Sequence, residues 1–215
     1  IKAITKNLHN NDTVANRVVS ASSIDMEVKN MQIDFFNSEW NEANFKLDQH
    51  PYAVKVYELG RIDLLENYVK IWSLCNFGGI ALSHDVIIKK SFDDLLELPY
   101  VFGYDTDNLT INGDVFAGCA GYKFFNEMLE VLNSLNDDEL DITISELVYT
   151  TLRSYGYYFF AAEIPDMFVE SNKYITLFDR SLFSPLDFDD MGRITNNVCN
   201  ENTCALNFFK GNLEV

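Results

Sequence analysis

The sequence predicts an α/β protein, a single domain over residues 1–215 with a central mixed β-sheet flanked by helices. Three observations predict it. Short apolar runs alternate with stretches that are apolar at helical spacing. No repeat, low-complexity tract or Pro/Gly-rich linker divides the chain, which has only 4 prolines and 10 glycines. At 215 residues with 47% hydrophobic and 14% aromatic content, the chain suits one domain and has ample apolar surface to bury.

In order, residues 4–8 read as a first strand, 17–22 as a second, and 25–40 as a helix through Met26, Met31, Phe35 and Phe36. From Arg61 the signal is stronger: Leu64, Leu65, Tyr68, Val69, Ile71, Trp72 and Cys75 form an apolar helical stripe. Gly78-Gly79 ends that helix, since glycine accepts the left-handed backbone of a C-cap. A buried strand follows at once over residues 79–83 and delivers the polar tip Ser83-His84-Asp85 ahead of Val86-Ile87-Ile88. Residues 100–104 read as another strand. Leu109 to Ile111 and Val115 to Ala117 flank Asn112-Gly113, a pair that favours a tight hairpin. Phe125, Met128, Leu129, Leu132 and Leu135 mark a second helix, and Thr143 with Glu146 forms a capping box for a third, to about Ser154. Residues 157–162 read as a strand, and 164–215 as irregular chain. His50, before Pro51, has no evident partner, and residues 187–190 read as a solvated acidic loop.

Composition excludes more than it assigns. Sixteen Lys and Arg against 33 Asp and Glu leave a net charge of −17, which disfavours nucleic acid and anionic membrane surfaces as partners. No run of 18 apolar residues occurs, so no membrane insertion is expected, and the first residues carry no signal-peptide core. The four cysteines fit reduced thiols in a cytoplasmic protein, with a Cys199–Cys204 loop disulfide as the alternative. A secretory lumen is the alternative compartment if an anchor has been removed. No nucleophile-elbow, Walker or dinucleotide fingerprint is present.

The segment from Arg61 to Asp94 carries the chemistry. A carboxylate at the carboxyl end of a buried strand can hold a divalent cation, and the cation can hold a diphosphate against an acidic protein. Asp63 to Val86, followed by Ser91-Phe92-Asp93-Asp94-Leu95-Leu96, resembles the sugar-binding region of GT-A fold glycosyltransferases of the DXD type, among them mannosyltransferases and capsular-polysaccharide enzymes. That family reads Ser-Asp-x-x-Arg-Tyr-x-x-Leu-Tyr-x-x-Gly-Gly, then Ile-Tyr-Leu-Asp-x-Asp-Val, then Asp-Asp-Leu-Leu. The opening residues 4–10 are similar to its first strand, residues 111–121 to its Ile-x-Asn segment, and residues 204–212 to its carboxyl-terminal Ala-x-His-His-Trp-x-Gly-Ser-Trp.

The resemblance implies a glycosyltransferase that moves a sugar from a nucleotide-sugar, a UDP-sugar first, to a glycan acceptor, with Mn²⁺ or Mg²⁺ and with retained configuration. It implies Asp85 and Asn207 as metal ligands, with Asp85 and Lys210 stabilising the departing diphosphate. Leu8 and His9 would wall the base, and Asp63 would bind base or ribose. Lys70, Ser83, His84 and Asn112 would complete the donor site, with the acceptor entering near Asn112. Ser83 replaces the family's first Asp, Asn67 and Lys70 replace its helix Asp and Arg, and Asn207 replaces its His. His84 reads as a bystander or a supplementary ligand. These departures motivate an alternative, a GT-A-like module that has lost catalysis and serves binding; an unrelated acidic interaction domain is the third reading. Asp105-Thr106-Asp107 is also D-x-D but lacks the Gly-Gly exit and Asp-Asp-Leu-Leu context, and reads as a turn.

Overall fold

The structure, a computed structural model, describes residues 2–3, 38–39, 45–83, 86–105, 110–157, 167–170, 173–188 and 192–207. In chain order these form β1 (Lys2–Ala3), β2 (Ser38–Glu39), α1 (Pro51–Glu58), α2 (Ile62–Phe77), β3 (Gly79–Leu82), β4 (Val86–Ile88), β5 (Tyr100–Gly103), β6 (Val115–Gly118), α3 (Lys123–Ser134) and α4 (Ile144–Arg153). They continue as β7 (Met167–Glu170), β8 (Lys173–Phe178), β9 (Leu186–Phe188), β10 (Ile194–Asn197) and β11 (Ala205–Asn207). Helices with a mixed sheet make the chain α/β. It packs as two compact units, one from residues 1–84 and 119–141, the other from 85–118 and 142–215.

The first unit is organised by α2, which packs against α1, α3 and β3. Leu64, Leu65, Tyr68, Val69, Ile71 and Cys75 of the apolar stripe are buried, Trp72 is half-buried, and Leu74, outside the predicted stripe, is buried as well. Gly78 stops the helix with φ 64° and ψ −170°, a backbone state costly for any residue with a Cβ, and β3 leaves at once. Helix α1 is absent from the sequence reading; Pro51 opens it and Tyr52, Ala53 and Val56 form its buried face. Tyr52 Oη donates to the Leu140 carbonyl at 2.8 Å. His50 does have partners. Its ring stacks on Phe45 at 4.7 Å and its Nδ1 lies 3.0 Å from the Tyr68 hydroxyl, while burial lowers its pKa. Ser38–Glu39 pairs antiparallel with Lys2–Ala3, where the spacing predicts helix to residue 40. The strands expected at 4–8 and 17–22 and the rest of that helix lie outside the described residues.

The second unit carries a mixed sheet in the order β6-β5-β8-β7. Strand β5 runs antiparallel to β6 and parallel to β8, with Tyr100 opposite both Gly118 and Ile175. Tyr100, Val101 and Phe102 are each 0% exposed, as an interior strand flanked on both edges requires. At Gly103 an added Cβ would stand 2.6 Å from the Phe183 ring, so that ring can pack only on glycine. Helix α4 opens with the expected capping box, Thr143 Oγ1 accepting from Glu146 N–H and the Glu146 carboxylate from Thr143 N–H.

Two expectations fail here. Asn112-Gly113 is not a two-residue hairpin turn: Ile111 bridges Tyr104, Asn112 N–H donates to Gly103 O at 2.8 Å, and β6 itself pairs with β5. The Asn112 side chain instead accepts from the N–H groups of Asp114 and Val115, which shapes an irregular approach to β6. The segment 164–215 is not irregular either, since it supplies β7 to β11. Residues 158–162 of the expected later strand lie outside the described residues, and Tyr157 is not in a strand.

Asp187 lies on β9 rather than in a solvated loop and receives the Arg180 guanidinium on both oxygens, at 2.6 and 3.3 Å. Arg180, 7% exposed, also donates to Ser184 O at 3.2 Å and so pins the turn between β8 and β9. That guanidinium holds the Asp187 carboxyl below its ordinary 3.8. The stabilisation is therefore complete above pH 3.8 and is lost as pH falls through the lower folded-state value. Asp187→Asn is expected to cost about 2–4 kcal/mol at pH 7, less than for a fully enclosed pair because the carboxylate is partly solvated. Urea unfolding should show that deficit shrinking as pH falls below 3.8, first as the unfolded-state carboxyl and then as the folded one protonates.

Candidate functional site

In the first unit, two of the expected positions are joined. Lys70, two turns before the end of α2, is 2% exposed; Ser83, just past β3, is 6% exposed. Lys70 Nζ donates to Ser83 Oγ at 2.6 Å and pairs with Glu66 at 3.1 Å. A buried ammonium requires such partners, because desolvation without them would cost several kcal/mol. Glu66 one turn earlier neutralises it, and Ser83 takes a second donor. The helix and the strand-end are thus fastened at the two positions where the resembled family has Arg and Asp.

Asp63 lies on the first turn of α2 with an exposed side chain. Arg61 grips it through Nε at 3.0 Å and Nη2 at 2.7 Å, and Nη2 also reaches Asp141 at 2.9 Å. The Arg61 hydrogen bonds lower the Asp63 pKa, so its carboxylate stays charged while occupied by a cation.

In the second unit, β4 and β11 pair antiparallel with Val86 opposite Asn207, Ile87 opposite Leu206 and Ile88 opposite Ala205. Asp85 precedes Val86 in the chain, so the backbone register sets Asn207 against the residue that follows Asp85. The N–H groups of Lys89 and Lys90 extend the ribbon, both donating to Cys204 O, at 2.8 and 3.3 Å. Asn112 is 0% exposed, and its Nδ2 donates to Ser184 Oγ at 2.5 Å. With its Oδ1 also engaged, its amide scaffolds the turn. Leu8, His9, His84, Asp85 and Lys210 lie outside the described residues, as does Asp107 of the second D-x-D. Asp105 N–H donates to Thr110 O at 2.8 Å, and the residues between them, where a turn is expected, lie outside the described residues.

Sequence reading missed a cleft of about 580 Å³ lined by Lys89, Lys90, Asn197, Cys199, Asn200 and Glu201, with Leu186, Ile194 and Leu206 as its apolar floor. Lys-Lys after a short strand reads as a solvated linker; only the return of β11 and the β9–β10 hairpin gives it walls. All four cysteines are free thiols, with Cys199 exposed. Among the described residues no helix is long and apolar enough to cross a membrane, and no group of three His, Cys, Asp or Glu is placed to hold a metal. Compared with protein-family models, curated proteins and solved structures, the chain matches none.

Ser83→Ala leaves the Lys70 ammonium buried with Glu66 alone and is expected to cost about 1–3 kcal/mol. Equilibrium denaturation measures it, and a loss below a few tenths would show that Lys70 finds another acceptor.

Proposed function

We propose that the chain is a GT-A-like glycosyltransferase that takes a nucleotide-sugar donor, a UDP-sugar, with Mn²⁺ or Mg²⁺, and transfers the sugar to a glycan acceptor. The observation that carries this reading is the β4–β11 register. Asp85 and Asn207 were assigned as metal ligands from opposite parts of the sequence, and β11 returns so that Asn207 pairs with Val86. Both offer the hard oxygen donors that Mn²⁺ and Mg²⁺ accept, a carboxylate and an amide carbonyl. When bound there, such a cation supplies neutralisation of the charge that develops on the departing diphosphate.

The protein's own groups have the remaining tasks. Ser83, fixed by Lys70, stands in for the family's first Asp and offers an uncharged contact to the donor. Lys210 follows Asn207 by three residues and would approach the same diphosphate, adding a positive charge. Leu8 and His9 would pack against the base, and Asp63 would reach base or ribose on release from Arg61. Asn112, enclosed as it is, would act by shaping the chain around the acceptor. His84 remains a bystander beside Asp85.

The Lys70–Ser83 bond also favours a second reading, a GT-A-like module that binds the donor but has lost transfer. The positive charge that the family directs from this helix is here occupied by Ser83 and Glu66.

A thermal-shift series with UDP, GDP and CMP, each with and without Mn²⁺, tests both. Ligand at a hundred times its Kd stabilises by about 2.7 kcal/mol, so UDP with Mn²⁺ is expected to raise the midpoint by roughly 5 °C or more. Asp85→Ala is expected to abolish that shift and Asp107→Ala to leave it intact. If no nucleotide moves the melt with metal present, both readings fail. Release of UDP from a panel of sugar donors then separates transferase from module.

A further inference from the structure

Five described cations of this acidic chain have a carboxylate partner: Lys55 with Asp137, Arg61 with Asp63 and Asp141, Lys70 with Glu66, Lys123 with Glu127, and Arg180 with Asp187. Lys89 and Lys90 do not. Both side chains are exposed, both line the 580 Å³ cleft, and no described carboxylate lies in salt-bridge range of either. The Lys90 ammonium donates to the Glu201 backbone carbonyl at 3.4 Å, which occupies one of its three donors.

Two amides of the cleft wall add further donors. Asn197 Oδ1 accepts from Cys199 N–H, and Asn200 Oδ1 accepts from Asn202 N–H, each at 2.8 Å. Those bonds fix the amides and leave both Nδ2 groups to donate outward. Two ammonium and two amide groups face one lining carboxylate, Glu201, above the apolar side chains of Leu186, Ile194 and Leu206. Such a surface suits a ligand rich in acceptor oxygens, carrying negative charge, with an apolar face: a sugar acid.

We propose that this cleft is the acceptor site and that it takes a carboxylate-bearing oligosaccharide, its carboxylate held by Lys89 and Lys90 and its hydroxyl oxygens by Asn197 and Asn200. The acidic-glycan part stands on the cleft; the acceptor part rests on the transferase reading. Lys89 follows the end of β4 opposite to Val86 and Asn207. Three strand residues separate those ends by roughly 10 Å, a span that an oligosaccharide bridges.

Cys199 lines the cleft and is exposed, whereas Cys75 and Cys204 are buried, so alkylation of Cys199 reports occupancy. The full chain is treated with iodoacetamide and Cys199 modification is followed by peptide mass mapping. The probes are tetragalacturonate, neutral maltotetraose, inorganic phosphate, and UDP with Mn²⁺. At four times its Kd, tetragalacturonate is expected to slow labelling about fivefold, since the open fraction falls as one over 1 + [L]/Kd. Lys89→Gln with Lys90→Gln is expected to weaken binding about tenfold, the scale of two partly exposed ion pairs, so that the same concentration slows labelling only about 1.4-fold. Maltotetraose and phosphate are expected to leave labelling unchanged.

Equal protection by maltotetraose, equal protection by phosphate, or no protection by tetragalacturonate at millimolar concentration would each overturn the proposal. So would protection that survives both lysine substitutions. The comparison of charged with neutral oligosaccharide on the wild-type chain needs no variant to fold. Protection by tetragalacturonate with no thermal shift from UDP and Mn²⁺ keeps the acidic-glycan site and removes the donor reading. The reverse pair of results removes the cleft proposal alone.

Discussion

Three residues of antiparallel pairing between β4 and β11 determine where the second unit's candidate groups fall. At one end the ribbon puts Asn207 opposite Val86, beside the chain position of Asp85. At the other it runs into Lys89 and Lys90, whose N–H groups share the Cys204 carbonyl. A register slip of one residue would turn every side chain of β11 to the opposite face. The residues proposed for the donor and those of the cleft thus lie at opposite ends of one short ribbon, placed by the same few backbone bonds.

Charge placement follows a consistent logic in a chain of −17. Cations that are buried or pinned to a turn are given carboxylates, because an unpaired buried charge is costly. Lys70 and Arg180 show this with Glu66 and Asp187. Lys89 and Lys90, left without carboxylates on the cleft wall, are exposed, where water solvates them and no buried charge has to be compensated.

Much of the local structure was legible where several signals agreed. For α2, the apolar stripe, the Gly78-Gly79 stop and the apolar run of β3 point the same way; for α4, Thr143 and Glu146 mark the start unambiguously. Helix α1 carried a signal that went unread, Pro51 at its first turn with Tyr52, Ala53 and Val56 behind it. So did β8, where Tyr174, Ile175 and Thr176 are strand-forming types. Strand β10, Ile194–Asn197, is exposed throughout and has no alternation to read. Asn112-Gly113 misled because local turn propensity yielded to long-range pairing of β6 with β5. Within the candidate site, Lys70 and Ser83 were each singled out from sequence but their bond was not, since twelve residues of helix and strand intervene. The cleft was invisible because its walls come from chain more than a hundred residues apart.

The parallel pairing of β5 with β8 has a consequence for how the molecule is made. Strand β6 follows β5 closely and can close its hairpin early, but β8 lies some seventy residues further on. Non-local pairs of this kind form late, after the entropy of closing a long loop has been met. Until then the edge of β5 that will receive β8, with Tyr100, Val101 and Phe102 beside it, stays unpaired. An apolar strand edge is a template for another chain. The step between the arrival of β5 and that of β8 during synthesis is therefore the interval in which this protein is most exposed to aggregation, and the one in which a chaperone would act on it.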